Sequence, residues 1–322
     1  MAAQIAKRLL VAIFLVLGVV TIAFALLHVL PGDPSTRLLS PSLSPTALEQ
    51  LRTQYGLDKP LHIQYGLWLW SYLQGDFGFS FSQQREVVDV LGDALPYTIL
   101  LALTAIVIEL LLGTLLALAA VRTENGFVDK ALSTGGLITY TLPTFWIAIL
   151  LVSIFSYGLR LLPSSQVHSI GADRLGPFQY ALDFLGHLIL PALAIGLPGS
   201  AGIARFLRTN LLKAYRQEYV LAAQSLGLSN SRIFRSYAFP NAVLPVITIL
   251  GLEFGALLSG ALVVETVFAW PGLGRLAVTA IFARDYPLIL GCATVSGLGV
   301  IGANLLADIV ASLLDPRLHI EV

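Results

Sequence analysis

The run YPLILGCATVSGLGVIGANLLA, Tyr286 to Ala307, contains no charged side chain. An α-helix rises about 1.5 Å per residue, so about 20 apolar residues cross a hydrocarbon core of roughly 30 Å. This run is long enough to do so, and others like it lie upstream. Leu9 to Gly32 and Ala131 to Leu159 are uncharged, and Phe184 to Ala204 holds only His187 as a titratable group. Leu95 to Val121 and Val243 to Val264 are equally long, but each carries one glutamate, Glu109 and Glu253. The expected fold is therefore an all-α polytopic membrane protein with six transmembrane helices.

Composition agrees with that expectation. The 322 residues are 56% hydrophobic and 12% charged, against about 25% charged in soluble domains. The net charge of zero is uninformative, because in a membrane protein the placement of charge across loops matters more than its sum. Lipid is the expected environment, and no nucleic-acid partner is expected. Cys292, the single cysteine, lies in an apolar run, which excludes an intrachain disulfide and a Cys-rich metal site.

Lys7 and Arg8 precede the first run, as they would in a signal peptide. A signal core is only about 7–15 apolar residues long, and this run continues past Leu30 to Pro31-Gly32-Asp33-Pro34 without a small-residue cleavage pattern. It is read as a retained helix. With six alternating helices and a cytoplasmic N-terminus, Lys7, Arg8, Arg122, Lys130, Arg205, Arg208, Lys213, Arg216, Arg232, Arg235 and Arg317 all fall inside, close to helix ends. The positive-inside tendency thus predicts both termini in the cytoplasm. The segment from Gly32 to Asp93 is then external and polar, with helix-compatible stretches at Thr46 to Tyr55 and Pro60 to Leu73. The expected organisation is residues 1–94 as first helix plus structured extracytoplasmic segment, and 95–322 as a five-helix core containing an internal loop, 205–240.

That loop sets Arg205, Arg208, Lys213, Arg216, Arg232 and Arg235 against Glu218 as its one acid. Topology alone explains excess positive charge, but the pattern adds information. Glu218-Tyr219-Val220-Leu221-Ala222-Ala223 suits a short helix, Gly227 interrupts it, and Ser229-Asn230-Ser231 precede Ile233-Phe234 as a cap for a second helix. Ala222, Ala223 and Gly227 would form a face without bulky side chains, able to enter a partner's groove. The plainer reading is a glycine that only ends a helix. Pro240 is expected to stop the second helix before the next span.

Leu221-Ala222-Ala223, three residues, Gly227, nine residues and Tyr237-Ala238-Phe239-Pro240 match the spacing of the EAA loop of ATP-binding-cassette (ABC) importer permeases. Leu221 stands where that motif has Glu, Tyr237 where it has Ile and Phe239 where it has Leu. Leu30-Pro31-Gly32-Asp33-Pro34, Tyr55-Gly56-Leu57-Asp58-Lys59-Pro60-Leu61, Gly75-Asp76-Phe77-Gly78-Phe79-Ser80, Leu95-Pro96-Tyr97-Thr98, Val264 to Gly274 and Arg284-Asp285-Tyr286-Pro287 extend the likeness over nearly the whole chain. The chain resembles the B-type inner-membrane permease of dipeptide, oligopeptide and nickel ABC importers.

That resemblance implies a type I importer permease fold in the bacterial inner membrane, paired with a C-type permease, two ATPase subunits and an extracytoplasmic substrate-binding protein. Glu218, Leu221, Ala222, Ala223, Gly227, Ile233 and Pro240 would form the ATPase-coupling region. ATP and Mg would bind in the partner ATPases, with no cofactor in this chain, which lacks a Gly-x-x-x-x-Gly-Lys-Ser/Thr loop. Peptides are the expected substrate, a nickel or other small-solute importer the alternative. A stand-alone secondary transporter is the reading from another class, and the lack of a motif shared between the two halves of the chain weakens it.

Glu109 and Glu253 are charges at membrane depth, which costs about 2.5–3.5 kcal/mol for an aspartate at a helix centre. Either they line the translocation pathway, attracting an amino terminus or a cation, or they are bonded at a helix interface. Glu265, Pro271, Gly272, Gly274, Arg284 and Asp285 belong to an external loop, read as a structured plug, a surface for the binding protein, or a set of mutual salt bridges. His28, His62, His168, His187 and His319 show no metal-ligand spacing. Ser153 and His187 lack a nucleophile motif, so no enzyme activity is expected.

Overall fold

The computed structural model describes residues 2–29, 58–123, 126–127, 129–130, 134–136, 141–258 and 261–314. The motif residues from Leu30 to Pro34 and from Tyr55 to Leu57, the helix-compatible stretch Thr46 to Tyr55, Arg317, His319 and part of the run Ala131 to Leu159 lie outside the described residues. Helices dominate: α1 (Ala2–Val29), α2 (Leu61–Leu73), α3 (Val87–Arg122), α4 (Thr144–Leu151), α5 (Pro177–Tyr215), α6 (Glu218–Ser225), α7 (Asn230–Ile233), α8 (Phe239–Leu258), α9 (Leu262–Val267), α10 (Leu273–Ala283) and α11 (Tyr286–Leu314). A two-stranded antiparallel hairpin, β1 (Phe79–Ser80) and β2 (Arg85–Glu86), precedes α3 and pairs Phe79 with Glu86 and Ser80 with Arg85.

Among the described residues four helical stretches are long and apolar enough to cross a membrane: Val87–Arg122, Pro177–Tyr215, Asn230–Leu258 and Tyr286–Ala307. Their ends differ from those of the apolar runs. The run Val243 to Val264 does not form one helix. Helix α8 is described to Leu258, residues 259–260 lie outside the described residues, Ala261 is not helical, and Val264 belongs to the separate helix α9. Helix α5 extends to Tyr215, so residues 205–215 of the expected loop are helical, and the connector begins at Arg216. Arginine, leucine, alanine and lysine are all good helix formers, and charge does not end a helix. Pro96, Pro191, Pro198 and Pro245 lie within helices, a placement tolerated where neighbouring groups take up the freed carbonyls.

The chain divides into two compact units. The first comprises residues 1–98, 258–262 and 271–302, and the second residues 99–257, 263–270 and 303–322. In the first unit, Phe24 of α1 meets Tyr65 and Trp68 of α2 at ring-centroid distances of 5.3 and 5.4 Å. The Thr21 and Tyr65 hydroxyls stand 2.7 Å apart. Val87, Val90, Leu91 and Ala94 of α3 pack with Leu273 and Ala280 of α10 and with Leu288 and Cys292 of α11.

The second unit is organised by α3 and α5. Along α3, Ala102, Ala105, Glu109, Gly113 and Ala117 are buried at helical spacing, while Leu103, Val107, Leu111 and Leu115 stand exposed on another face. A soluble helix reverses that arrangement; here small residues face protein and large aliphatic ones suit lipid. The small residues permit close approach. A Cβ at Gly113 would lie 2.7 Å from Cγ2 of Ile203, and one at Gly196 would lie 2.7 Å from Cγ2 of Ile108 and 3.1 Å from the Ala105 carbonyl. Ala117 of α3, Leu207 and Leu211 of α5, and Ala242, Val246 and Leu250 of α8 form one core.

Candidate functional site

Two places in the second unit gather the residues that the sequence singles out. The first is the connector after Tyr215. Helix α6 ends in a Schellman motif: Leu228 N–H donates to the Ala223 carbonyl at 3.2 Å, Gly227 N–H donates to the Gln224 carbonyl at 2.9 Å, and Gly227 has φ +76°. The hydrophobic contact that accompanies such an ending is present, because Ala223, Val220 and Ile233 are buried together with Leu228 packed against them. The four-residue step from Ala223 to Gly227 is therefore the spacing of a helix terminator. Only a residue without a β-carbon adopts that left-handed geometry freely.

Three expectations for this loop change. Helix α6 stops at Ser225, short of Gly227, and Ala223 and Ile233 face the loop's own core, so the small face of Ala222, Ala223 and Gly227 is split. Ala222 and Gly227 remain exposed. Glu218 and Leu221 are exposed as well, and Leu226 is 81% exposed. Ser229 occupies the N-cap position of α7 without a side-chain capping bond. Pro240 does not stop a helix. A π-helical turn, Phe234–Ala238, carries the chain from α7 into α8 with Pro240 in its first turn; widening the helix there accommodates a ring that cannot donate to a preceding carbonyl.

The second place is a cavity of about 730 Å³ along one face of α5. Gly199, Gly202, Arg205 and Thr209 recur on that face at helical spacing, with Asn210 beside them and Glu253 of α8 opposite. Glu109, 1% exposed, meets Glu253 carboxyl to carboxyl, and its Oε2 has no hydrogen-bond partner. Gly199 lies directly under this pair: a Cβ there would overlap Oε1 and Cδ of Glu109.

Arg208 also lines the cavity, but its guanidinium is bidentate to Asp129, with Nε and Nη2 donating at 2.6 and 2.5 Å. That pairing, and the presence of Asn210 and Gly199 at the cavity, carry no motif in the sequence. Their signal is the helical recurrence of Gly199, Gly202 and Arg205, visible only once the helix is known to run past Ala204.

The external-loop residues separate between the units. Glu265 is fully buried in the second, beside Phe268 and Trp270. In the first, Gly272 and Gly274 are buried at the start of α10, Pro271 is half-buried and Arg284 is exposed at φ +54°. Asp285 is buried, and its Oδ2 accepts from Ser80 Oγ at 2.6 Å, Ser82 Oγ at 2.7 Å and Ser82 N–H at 2.9 Å. Its Oδ1 caps α11 by accepting from Leu288 N–H at 3.3 Å. Asp285 therefore ties the hairpin loop to α11 through serines, where mutual salt bridging was one expectation. Asp285→Ala strands these donors, and bonds to a charged group contribute about 1.5–3 kcal/mol each. Thermal unfolding of the purified protein should show a loss of at least about 3 kcal/mol, with Ser80→Ala, which removes one of these bonds, losing about 1.5–3 kcal/mol.

His168 and His187, distant from each other in sequence, both approach Asp183. Nδ1 of His168 lies 3.0 Å from its carboxylate, and Nδ1 of His187 bonds its backbone carbonyl at 2.7 Å. His168 also stacks on Tyr180 with a centroid distance of 4.0 Å. Ser153 bonds the Ile149 carbonyl within its own helix.

Comparison with known proteins shows the family. Residues 109–320 match the family described as binding-protein-dependent transport system inner membrane component, and residues 1–102 match the N-terminal part of that membrane component. The oligopeptide transport system permease protein AppB of Bacillus subtilis is 34% identical over 99% of this chain and 100% of its own length. The glutathione transport system permease protein GsiC of Salmonella choleraesuis is 34% identical over 97% of each. Among solved structures, an amino acid ABC transporter crystallised with histidines matches with a TM-score of 0.50 and 20% identity, over 71% of this chain and 94% of its own, a likeness of fold. Matched across both family regions and at full length by permeases, the chain belongs to the family of binding-protein-dependent transport system inner membrane components.

Proposed function

We propose that this chain is one of two permease subunits of an ATP-driven importer of short peptides. Its partners are a C-type permease, two cytoplasmic ATPases that bind ATP and Mg, and an extracytoplasmic binding protein that delivers substrate. The chain itself catalyses no reaction. Six helices span the inner membrane with both termini in the cytoplasm; residues 1–94 supply the first span and an external elaboration, and residues 95–322 the conducting core. The peptide substrate is supported by full-length relatives named for oligopeptides and for glutathione.

The observation that carries the reading is the connector from Arg216 to Pro240. It is a small folded body with its own core of Val220, Ala223 and Ile233, yet it leaves Leu221 and Leu226 exposed at the tip. Apolar side chains held in water by a preformed scaffold suit docking into a partner's groove. Glu218, Leu221, Ala222, Gly227 and Leu226 form the contact in this reading, while Ala223, Ile233 and Pro240 set its shape. Glu253, with Glu109 behind it, lies on the translocation pathway, and exposed Arg284 is the external-loop residue available to the binding protein. The remaining loop residues, Glu265, Pro271, Gly272, Gly274 and Asp285, hold that loop in shape.

Reconstitution tests this directly. Proteoliposomes containing both permeases and the ATPases, supplied with binding protein and a labelled oligopeptide, should accumulate peptide only with ATP inside. Accumulation by the permeases without ATPase subunits would overturn the assignment.

A further inference from the structure

The cavity on α5 has Glu253 and Arg205 in its lining. Glu253 sits at the level of Gly199, because Glu109 touches both. Arg205 lies six residues further along the helix, which at about 1.5 Å per residue is roughly 9 Å. Arg208 is already paired with Asp129, but among the described residues no ion pair joins Arg205 to any acid, and none joins Glu253 to any base. Between the two, a Cβ at Gly202 would meet nothing within 4 Å.

An acidic side chain and a guanidinium lining one cavity, neither of them in an ion pair among the described residues, are complementary to a molecule with an ammonium at one end and a carboxylate at the other. The volume of about 730 Å³ falls within the roughly 300–1,000 Å³ of small-molecule sites. We propose that this cavity is a way station for a short zwitterionic peptide, its amino terminus at Glu253 and its carboxylate at Arg205. This deepens the importer reading and rests on it.

Alkylation of a cavity cysteine tests it. The native Cys292 is buried, and Gly202→Cys introduces a thiol where there is room, with Thr209→Cys as a second reporter on the same wall. In the assembled complex without binding protein, trialanine at tenfold excess over its Kd should slow maleimide labelling of this chain about tenfold. N-acetyl-trialaninamide, which lacks both charges, should give no protection, and Glu253→Gln or Arg205→Gln should abolish protection by trialanine. Equal protection by both peptides, protection by neither, or failure of both cysteines to label overturns the way station. ATP-driven uptake by the unsubstituted complex is measured alongside. Uptake without protection removes only the way station, whereas absence of uptake removes the importer reading whatever the labelling shows.

Discussion

Gly227→Trp should reduce ATP-driven uptake at least about tenfold and release the ATPase subunits during purification, while the permease itself stays folded. The expectation comes from separating two costs at one position. Gly227 sits at φ +76°, and a side chain there strains the backbone by roughly 1–2 kcal/mol. No atom lies within 4 Å of its Cβ position, so a side chain there starts in open space. It projects from the exposed tip, beside Leu226, into the space a partner would occupy. Gly227→Asn isolates the backbone effect, because asparagine tolerates the left-handed region best among residues with a side chain. It should keep most of the uptake. Copurification of ATPase with each variant, together with peptide uptake, reads the outcome. Normal uptake by Gly227→Trp would show that the tip faces no partner.

This argument differs from the one that spacing alone supports. In the sequence, Ala222, Ala223 and Gly227 read as a continuous small surface, and the inference was a close-fitting face. The structure assigns Ala223 and Gly227 to ending a helix, and the exposed apolar residues beside them, Leu221 and Leu226, supply the surface. The same spacing serves both readings because a helix terminator and a small-residue stripe each need residues about one turn apart. What decides between them is which side faces the loop's own core, and that depends on Ile233 and Leu228, which come from beyond the turn.

The same division between local and distant information runs through the whole chain. Apolar runs located α3, α5 and α11 because crossing a membrane is a constraint on every residue of a segment at once. They missed the separation of Val264 into α9 and the extension of α5 to Tyr215, because a helix end is set by a few residues and not by mean hydropathy. Contacts between segments were not legible at all. Asp285 binds Ser80, 205 residues away in sequence, and nothing in either local sequence announces the partner. Glu109 and Glu253 were each marked as exceptional by their charge, and each was weighed alone; that they meet was visible only in three dimensions. Glycines showed the same limit, since Gly199 and Gly202 lie on one helix face yet one lies under a carboxyl and the other borders open space.

That contrast yields the other large expected effect, at Gly199. Gly199→Ala places a methyl group where the Glu109 carboxyl lies, in contact with Oε1, Cδ and Cγ. The carboxyl must leave, and a group buried to 1% exposure has no water to move into. Overpacking costs about 1–3 kcal/mol, and moving the carboxyl from Glu253 adds the cost of a polar group without its partner. Stability should therefore fall by about 2–4 kcal/mol, even though alanine is otherwise the better helix former by about 1 kcal/mol. Gly202→Ala, in open space on the same helix, should be neutral or stabilising and shows what the substitution does without the carboxyl. In the double variant Gly199→Ala, Glu109→Ala, every atom in the clash is gone. The pair should then be more stable than the sum of the single effects, with a coupling of at least about 1 kcal/mol. Uptake should remain low in the double variant if Glu253 needs its partner to conduct peptide, so recovery of stability without recovery of uptake would mark the carboxyl pair as part of the pathway. Recovery of both would assign Glu109 to helix packing alone. Additive single effects would remove the contact between Gly199 and Glu109 from the account of this membrane core.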